Sequence, residues 1–314
     1  MTDDAAPLGG RASLVARALD SDVWHSFKRS RIVMGAAVVT LLIFLGALFA
    51  PWVAPHDPSD LASLSLLDSL LPPAWLEGGD ARFLLGTDDQ GRDVLSAILH
   101  GSRISLAVGF ASVAFAAVLG ITLGLAAGYL GGRTDAIIMR IADVQLTFPS
   151  ILIALLIDGT VRGVLPGVTR EDSAFYVLVF SIGLSFWVQY ARTVRSSTLV
   201  EKNKEYVQAA RLIGLHPAKI MARHVLPNVM GPVLVIATIN LALAIITEAT
   251  LSFLGVGIPP TEPSLGTLIR IGNDFLFSGE WWITMFPGLT LAVLALAVNL
   301  LGDWLRDVLN PRLR

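Results

Sequence analysis

The sequence predicts an all-α integral membrane protein with six transmembrane helices and both termini on one side of the bilayer. Three observations carry this reading. The chain is strongly apolar, with a mean hydropathy of +0.67 and only 15% charged residues over 314 positions. Uncharged runs long enough to cross a bilayer recur along it. The basic residues between those runs concentrate on alternate segments. Length alone would fit two soluble domains, and the spacing of the apolar runs excludes that.

Residues 1–31 form a polar tail with Arg11, Arg17, Lys28, Arg29 and Arg31. The apolar run 32–53 holds 22 residues, longer than the core of a cleavable signal, and is read as a retained first span. A loop, 54–103, leads to a second span at 104–130, where 27 residues carry no charge. The third span is the weakest, because 144–157 gives only 14 uncharged residues between Asp143 and Asp158. It starts near Ala136 or is tilted and shielded by protein, which places it at about 136–157. The fourth span is 173–191, followed by a polar loop at 192–228. The fifth lies at about 229–257 and is interrupted only by Glu248. Segment 258–280, a sixth span at 281–302 and a tail at 303–314 complete the chain.

Segments 1–31, 131–143, 192–224 and 303–314 carry 17 of the 23 Lys and Arg, against 6 on 54–103, 158–172 and 262–280. The positive-inside rule then puts both termini and the 192–228 loop in the cytoplasm. Trp75, Trp281 and Trp282 are expected at the opposite interface.

Catalytic signatures are missing from the sequence. Without cysteine there is no disulfide or thiolate chemistry, and five scattered His do not predict a metal site. No Gly-Lys pair exists to build a phosphate loop, and the HExxH, GxSxG and SxxK patterns are absent. A net charge of −2 gives no reason to expect nucleic acid.

The polar stretch 205–228 is the most informative. Tyr206, Ala209, Ala210 and Ile213 recur at the spacing of one helix face. Gly214 is a natural stop, and His216-Pro217 begins a second short helix with Pro217, Ile220, Met221 and His224 on one face. Two amphipathic helices joined at a glycine either dock in a protein groove or lie on lipid headgroups. The acids Glu201 and Glu205 and the narrow, alanine-rich stripe favour the groove.

Four further features each have two readings. Glu248 either faces an aqueous pathway or plays a structural part, paired locally near the outer end of span five or protonated. Arg140 and Asp143 are spaced to interact on a helix, and Pro149 makes either a hinge or a fixed kink. In 85–96, Gly86, Thr87, Asp88, Gly91, Arg92 and Asp93 form a turn before a helix that Thr87 or Asp88 caps, serving function or structure alone. Gly120, Gly124 and Gly128 let a helix approach closely, within this chain or across a subunit interface.

These residues resemble a known family. EYVQAARLIG with HVLPN is similar to the EAA loop of ABC-importer permeases, with Glu205, Ala209, Ala210 and Gly214 at its defining positions. LGTDDQGRDVLS, GSRISL, GYLGGRTD with MRIADV, EATLSFLGVGIPPTEPSLGTL and the terminal FPGLT and NLLGDWLRDVLNPRLR extend the match from about residue 24 onward. They resemble the C-type permease subunit of dipeptide, oligopeptide or nickel importers, among binding-protein-dependent inner-membrane components. Leu265 stands where the family usually has Trp, and Asn310 where it usually has Asp.

The resemblance implies a type I ABC importer permease fold in a bacterial inner membrane, with 104–308 as the core domain. It implies a homologous second permease, two ATPases that bind ATP and Mg, and an extracytoplasmic substrate-binding protein, with no cofactor in this chain. It implies import of short peptides, or alternatively of nickel or another small solute. The EAA loop would couple to an ATPase through Glu205, Ala209, Ala210, Gly214, His216, Pro217, His224, Leu226 and Pro227. A proton-coupled carrier using Glu248 is the rival class.

Overall fold

The structure, a computed structural model, describes residues 22–58, 60, 64–164 and 170–309. Asn310 lies outside them. The described residues contain twelve α-helices and no strand beyond one isolated bridge, Thr87 to Asp93. A short α1 (Asp22–Arg29) precedes α2 (Arg31–Leu48), which Ser30 caps by accepting from the Val33 N–H at 3.3 Å. One turn, α3 (Ala50–Val53), ends the first span.

The next helix, α4 (Val94–Leu130), has 37 residues and starts ten positions before the expected second span. At 1.5 Å per residue it is about 55 Å long, well beyond a hydrocarbon core of about 30 Å. Its first turns carry His100 and Arg103, so the hydropathy pattern hides them. The expected loop at 54–103 is correspondingly shorter. The cap is Asp93, whose Oδ2 accepts from the Ser96 N–H at 2.9 Å and the Ser96 hydroxyl at 2.6 Å. Thr87 and Asp88 do not cap the helix, because other partners hold them.

The expected third span is two helices, α5 (Gly132–Gln145) and α6 (Ser150–Val164), bent by 94° across the break. Pro149 stands at this corner. It disfavours a helical Phe148 before it, while its own carbonyl accepts the first N–H groups of α6, from Leu152 and Ile153. Two helices meeting at a sharp corner therefore replace the single kinked helix.

Helix α7 (Arg170–Glu201) carries the fourth span onward into the expected polar loop. Its partner is α4, and the glycine stripe is the reason they meet so closely. A Cβ on Gly120 would lie 2.5 Å from the Trp187 carbonyl oxygen, and one on Gly124 2.6 Å from that of Ala191. One on Gly128 would lie 2.7 Å from the Thr198 Cβ. The stripe serves packing within this chain.

After α8 (Glu205–Leu212) comes α9 (Pro217–Ile220), which runs through a π turn at Met221–Val225 into α10 (Leu226–Phe253). The second short helix is thus the end of a continuous rod, Pro217–Phe253. Pro227 accounts for the widened turn, since its ring would clash with the Arg223 carbonyl in a regular helix. The Leu226 N–H accordingly bonds to the Met221 carbonyl, five residues back. Helix α11 (Leu265–Phe275) and α12 (Trp282–Leu309) close the bundle, with α12 packed against α10, α11 and α2.

Candidate functional site

At the end of the bundle where α7 stops, the chain builds a braced projection. Glu205 opens α8, where an acidic side chain complements the positive end of the helix dipole. The helix closes on Gly214 at φ 77°. The Leu215 N–H reaches the Ala210 carbonyl at 3.1 Å and the Gly214 N–H reaches that of Arg211 at 3.0 Å, the two bonds of a Schellman cap. His216 then caps α9, its Nδ1 accepting from the Ala218 N–H at 3.3 Å, with Pro217 in the first turn.

The faces differ from the expected stripe. Val207 and Ala210 are buried, packing with Ile220, Val225, Ala142 and Val194 in one core cluster. Ala209 is exposed, and beside it Leu212 and Ile213 stand 88% and 75% exposed. Ala210 therefore anchors the element inward, and the outward surface is Ala209, Leu212 and Ile213. Lys219, Arg223 and Pro227 are also exposed, while His224 and Leu226 are half-buried.

Polar contacts hold this projection to the helices behind it. The Tyr206 hydroxyl donates to the Glu201 carboxylate, and Asn228 Nδ2 donates to the Tyr206 oxygen at 3.1 Å and the His224 carbonyl at 2.7 Å. Partial burial and then the Glu201 carboxylate push the Tyr206 hydroxyl up to about 12, so it remains a donor. Lys202 Nζ reaches the Gly128 carbonyl at 2.7 Å. Arg211 donates to the Tyr129 hydroxyl at 3.2 Å, with its guanidinium carbon 4.8 Å from that ring's centroid.

Helix α5 is tied to α7 by two arginines. Arg195 grips Asp135 with both donors, at 2.5 and 2.6 Å, and Arg192 reaches Asp143 at 2.7 Å. Asp143 thus pairs with Arg192 across helices, not with Arg140 on its own helix. The sequence carries no local signal for these braces, since the partners lie 49 to 82 positions apart.

The opposite end is locked by the 85–96 stretch. Asp88 Oδ2 accepts from Arg92 Nε at 2.6 Å, and both side chains are 2% exposed. A second Arg92 nitrogen donates to the Pro260 carbonyl at 2.7 Å, joining this turn to the α10–α11 connection. Thr87 accepts from the Leu71 N–H at 2.8 Å and donates to the Asp68 carbonyl at 2.6 Å. Gly86 and Gly91 supply the left-handed turns between them. Trp282, expected at the interface, is buried instead and donates to the Thr87 carbonyl at 3.1 Å.

Glu248 also proves internal. It is 0% exposed, taking the Ser105 hydroxyl at 2.6 Å and the Ser252 hydroxyl at 2.7 Å. Ser105 accepts in turn from the Leu265 N–H at 3.3 Å, and Leu265 fills the core beneath α12. Of the two readings, local pairing is the one the geometry shows. In this structure the Glu248 carboxyl is closed off from solvent.

Comparison with known proteins agrees with this architecture. The family described as "Binding-protein-dependent transport system inner membrane component" matches residues 120–314. The chain belongs to this family. A second family model, "N-terminal TM domain of oligopeptide transport permease C", matches residues 21–73 of the chain. It is 42% identical over 303 residues to a di/tripeptide transport system permease protein of Pseudomonas aeruginosa, covering 96% of this chain and 95% of that one. A dipeptide transport system permease protein of Escherichia coli K12 is 41% identical over 295 residues, covering 93% of each. The fold matches an inward-facing MetNI methionine ABC transporter with TM-score 0.53 and 20% identity, over 68% of this chain and 96% of that one. The chain is thus a multi-pass membrane protein with an ABC-importer permease fold.

Proposed function

We propose that this chain is one permease subunit of an ATP-driven importer of di- and tripeptides. It forms half of the translocation pathway with a homologous second permease. Two ATPase subunits bind ATP and Mg, and an extracytoplasmic binding protein delivers the peptide. The relatives' peptide-transport names and their near-complete coverage support the substrate. The excess of Lys and Arg on the α8 side supports a cytoplasmic position for both termini and for α8.

One observation carries the coupling role: an exposed Ala209, Leu212 and Ile213 surface on a projection whose inner face is packed into the core. Two large apolar side chains held out of the fold at a polar bundle end need a partner groove. The chain has no phosphate loop of its own, so an ATPase is the occupant that supplies energy. Closure of the ATPases would move α8 and, through α9, the rod that includes α10. Glu205, Gly214, His216 and Pro217 set the shape of this contact.

The test is uptake of radiolabelled dialanine into vesicles containing the four membrane-bound subunits with the binding protein outside and ATP inside. Uptake that needs ATP and fails with Leu212→Asp is expected. ATP-independent uptake driven by a pH gradient would overturn the proposal.

A further inference from the structure

The long-loop end of the bundle holds a cavity of about 310 Å³ between α4, α7 and the α10–α11 connection. Its wall combines His100, Arg103 and Ala107 of α4 with Phe175 of α7, Pro259 and Glu262. Arg103 and Glu262 are opposite charges on separate elements, and both side chains are exposed. Among the described residues neither makes an ion pair. The cavity thus presents a cation and an acid from two different elements, each facing its solvent and neither neutralised by an ion pair.

Both walls are also fixed in place. The Arg92 bond to the Pro260 carbonyl holds the segment that carries Glu262. Ser105, two residues after Arg103, is held by Glu248. His100 Nδ1 donates to the Ser96 carbonyl at 3.0 Å, which leaves Nε2 as the ring's free polar atom. Such a preformed, partly apolar cavity binds a ligand without first ordering its own walls. Its volume lies at the lower end of small-molecule sites, about 300–1,000 Å³.

We propose that this cavity is a way-station for the transported peptide, with Arg103 taking the free carboxylate, Glu262 the free ammonium and Phe175 an apolar side chain. The assignment rests on the peptide-import reading above. A zwitterion of two residues presents the two charges that the cavity leaves unmatched. A guanidinium matches a carboxylate with paired donors, which makes Arg103 the selective contact.

The chain has no cysteine, so Ala107→Cys places a single thiol of this subunit at the cavity wall. The assembled transporter, without binding protein, is labelled with a maleimide in the presence of millimolar dialanine. Labelling should slow about five-fold, as for a site four-fifths occupied. Dialanine acetylated and amidated at its ends should not protect, and Arg103→Gln should abolish protection by the free peptide. Ile104→Cys, at another lining position with no assigned contact to the peptide, gives a second reporter if Ala107→Cys fails to assemble.

Equal labelling with and without dialanine, or protection indifferent to blocked ends, overturns the site. Dialanine uptake by the wild-type transporter is measured in parallel. If uptake is present while protection is absent, the cavity inference falls and the import reading stands. If the wild type moves no dipeptide at all, the import reading itself fails.

Discussion

The Glu248 carboxyl accepts the Ser105 hydroxyl at 2.6 Å, joining α10 to α4 across 143 positions of sequence. An acid that looks like a proton carrier in the sequence is a fastener in the fold. Glu248→Leu leaves the Ser105 and Ser252 hydroxyls without their acceptor, at about 1–3 kcal/mol for each buried group. The expected result is a lower melting temperature of the purified transporter. Uptake per folded molecule should persist and should not respond when a protonophore collapses the pH gradient.

Leu212→Asp adds a charge at an exposed position, so the subunit's own fold should keep its stability. ATPase subunits should co-purify at least about ten-fold less, the effect of losing roughly 1.4 kcal/mol at the contact. Normal recovery of the ATPases with this variant would remove Leu212 from the interface.

Gly214→Ala forces a Cβ into a left-handed conformation at about 1–2 kcal/mol, and should reduce uptake partially. Gly214→Pro also removes the N–H that reaches Arg211, and should abolish uptake while the protein stays in the membrane. Glu205→Lys places a cation at the positive end of α8 and should likewise stop uptake. Membrane fractionation and dialanine uptake read all three.

Asp88→Ala leaves the Arg92 guanidinium buried without its counter-charge. Removing one partner of a buried pair costs about 3–5 kcal/mol, so this substitution should lower the melting temperature far more than Asp143→Ala, whose ion pair with Arg192 is exposed. Comparable shifts for the two variants would contradict the buried role of Asp88.

Gly124→Val inserts a branched side chain where even a Cβ lies 2.6 Å from the Ala191 carbonyl. The α4–α7 pair must separate, at about 1–3 kcal/mol or more. Reduced yield of assembled transporter is the expected readout, with Gly35→Val, at an open position on α2, as the control.

The apolar runs and the Lys/Arg asymmetry made the spans legible, because lipid imposes length and charge rules on every helix alike. Helix ends were less legible. Polar His100 and Arg103 concealed the start of α4, and an uncharged run could not reveal the sharp corner at Pro149. The Gly214 elbow was readable, since few residues adopt its conformation. The direction of Ala210 was not, because alanine suits a buried and an exposed face equally, and only the packing of Val207 and Ile220 decides. The cross-helix partners of Arg195, Arg211 and Glu248 depend on tertiary approach, which no local spacing encodes.

The π turn at Met221–Val225 sets an angle as well as a continuity. Each residue of a regular helix advances the chain by about 100° around its axis, and a widened turn departs from that advance at one place. The azimuth of α9 around the rod, and with it the direction in which Leu212 and Ile213 face, is therefore indexed to the side chains of α10 by this single turn. Deleting one residue there, with Pro227 also replaced so that a regular turn is permitted, would swing the docking surface around the axis without touching either end. In mechanical terms the turn is a phase setting, and torque as well as thrust can pass along the rod.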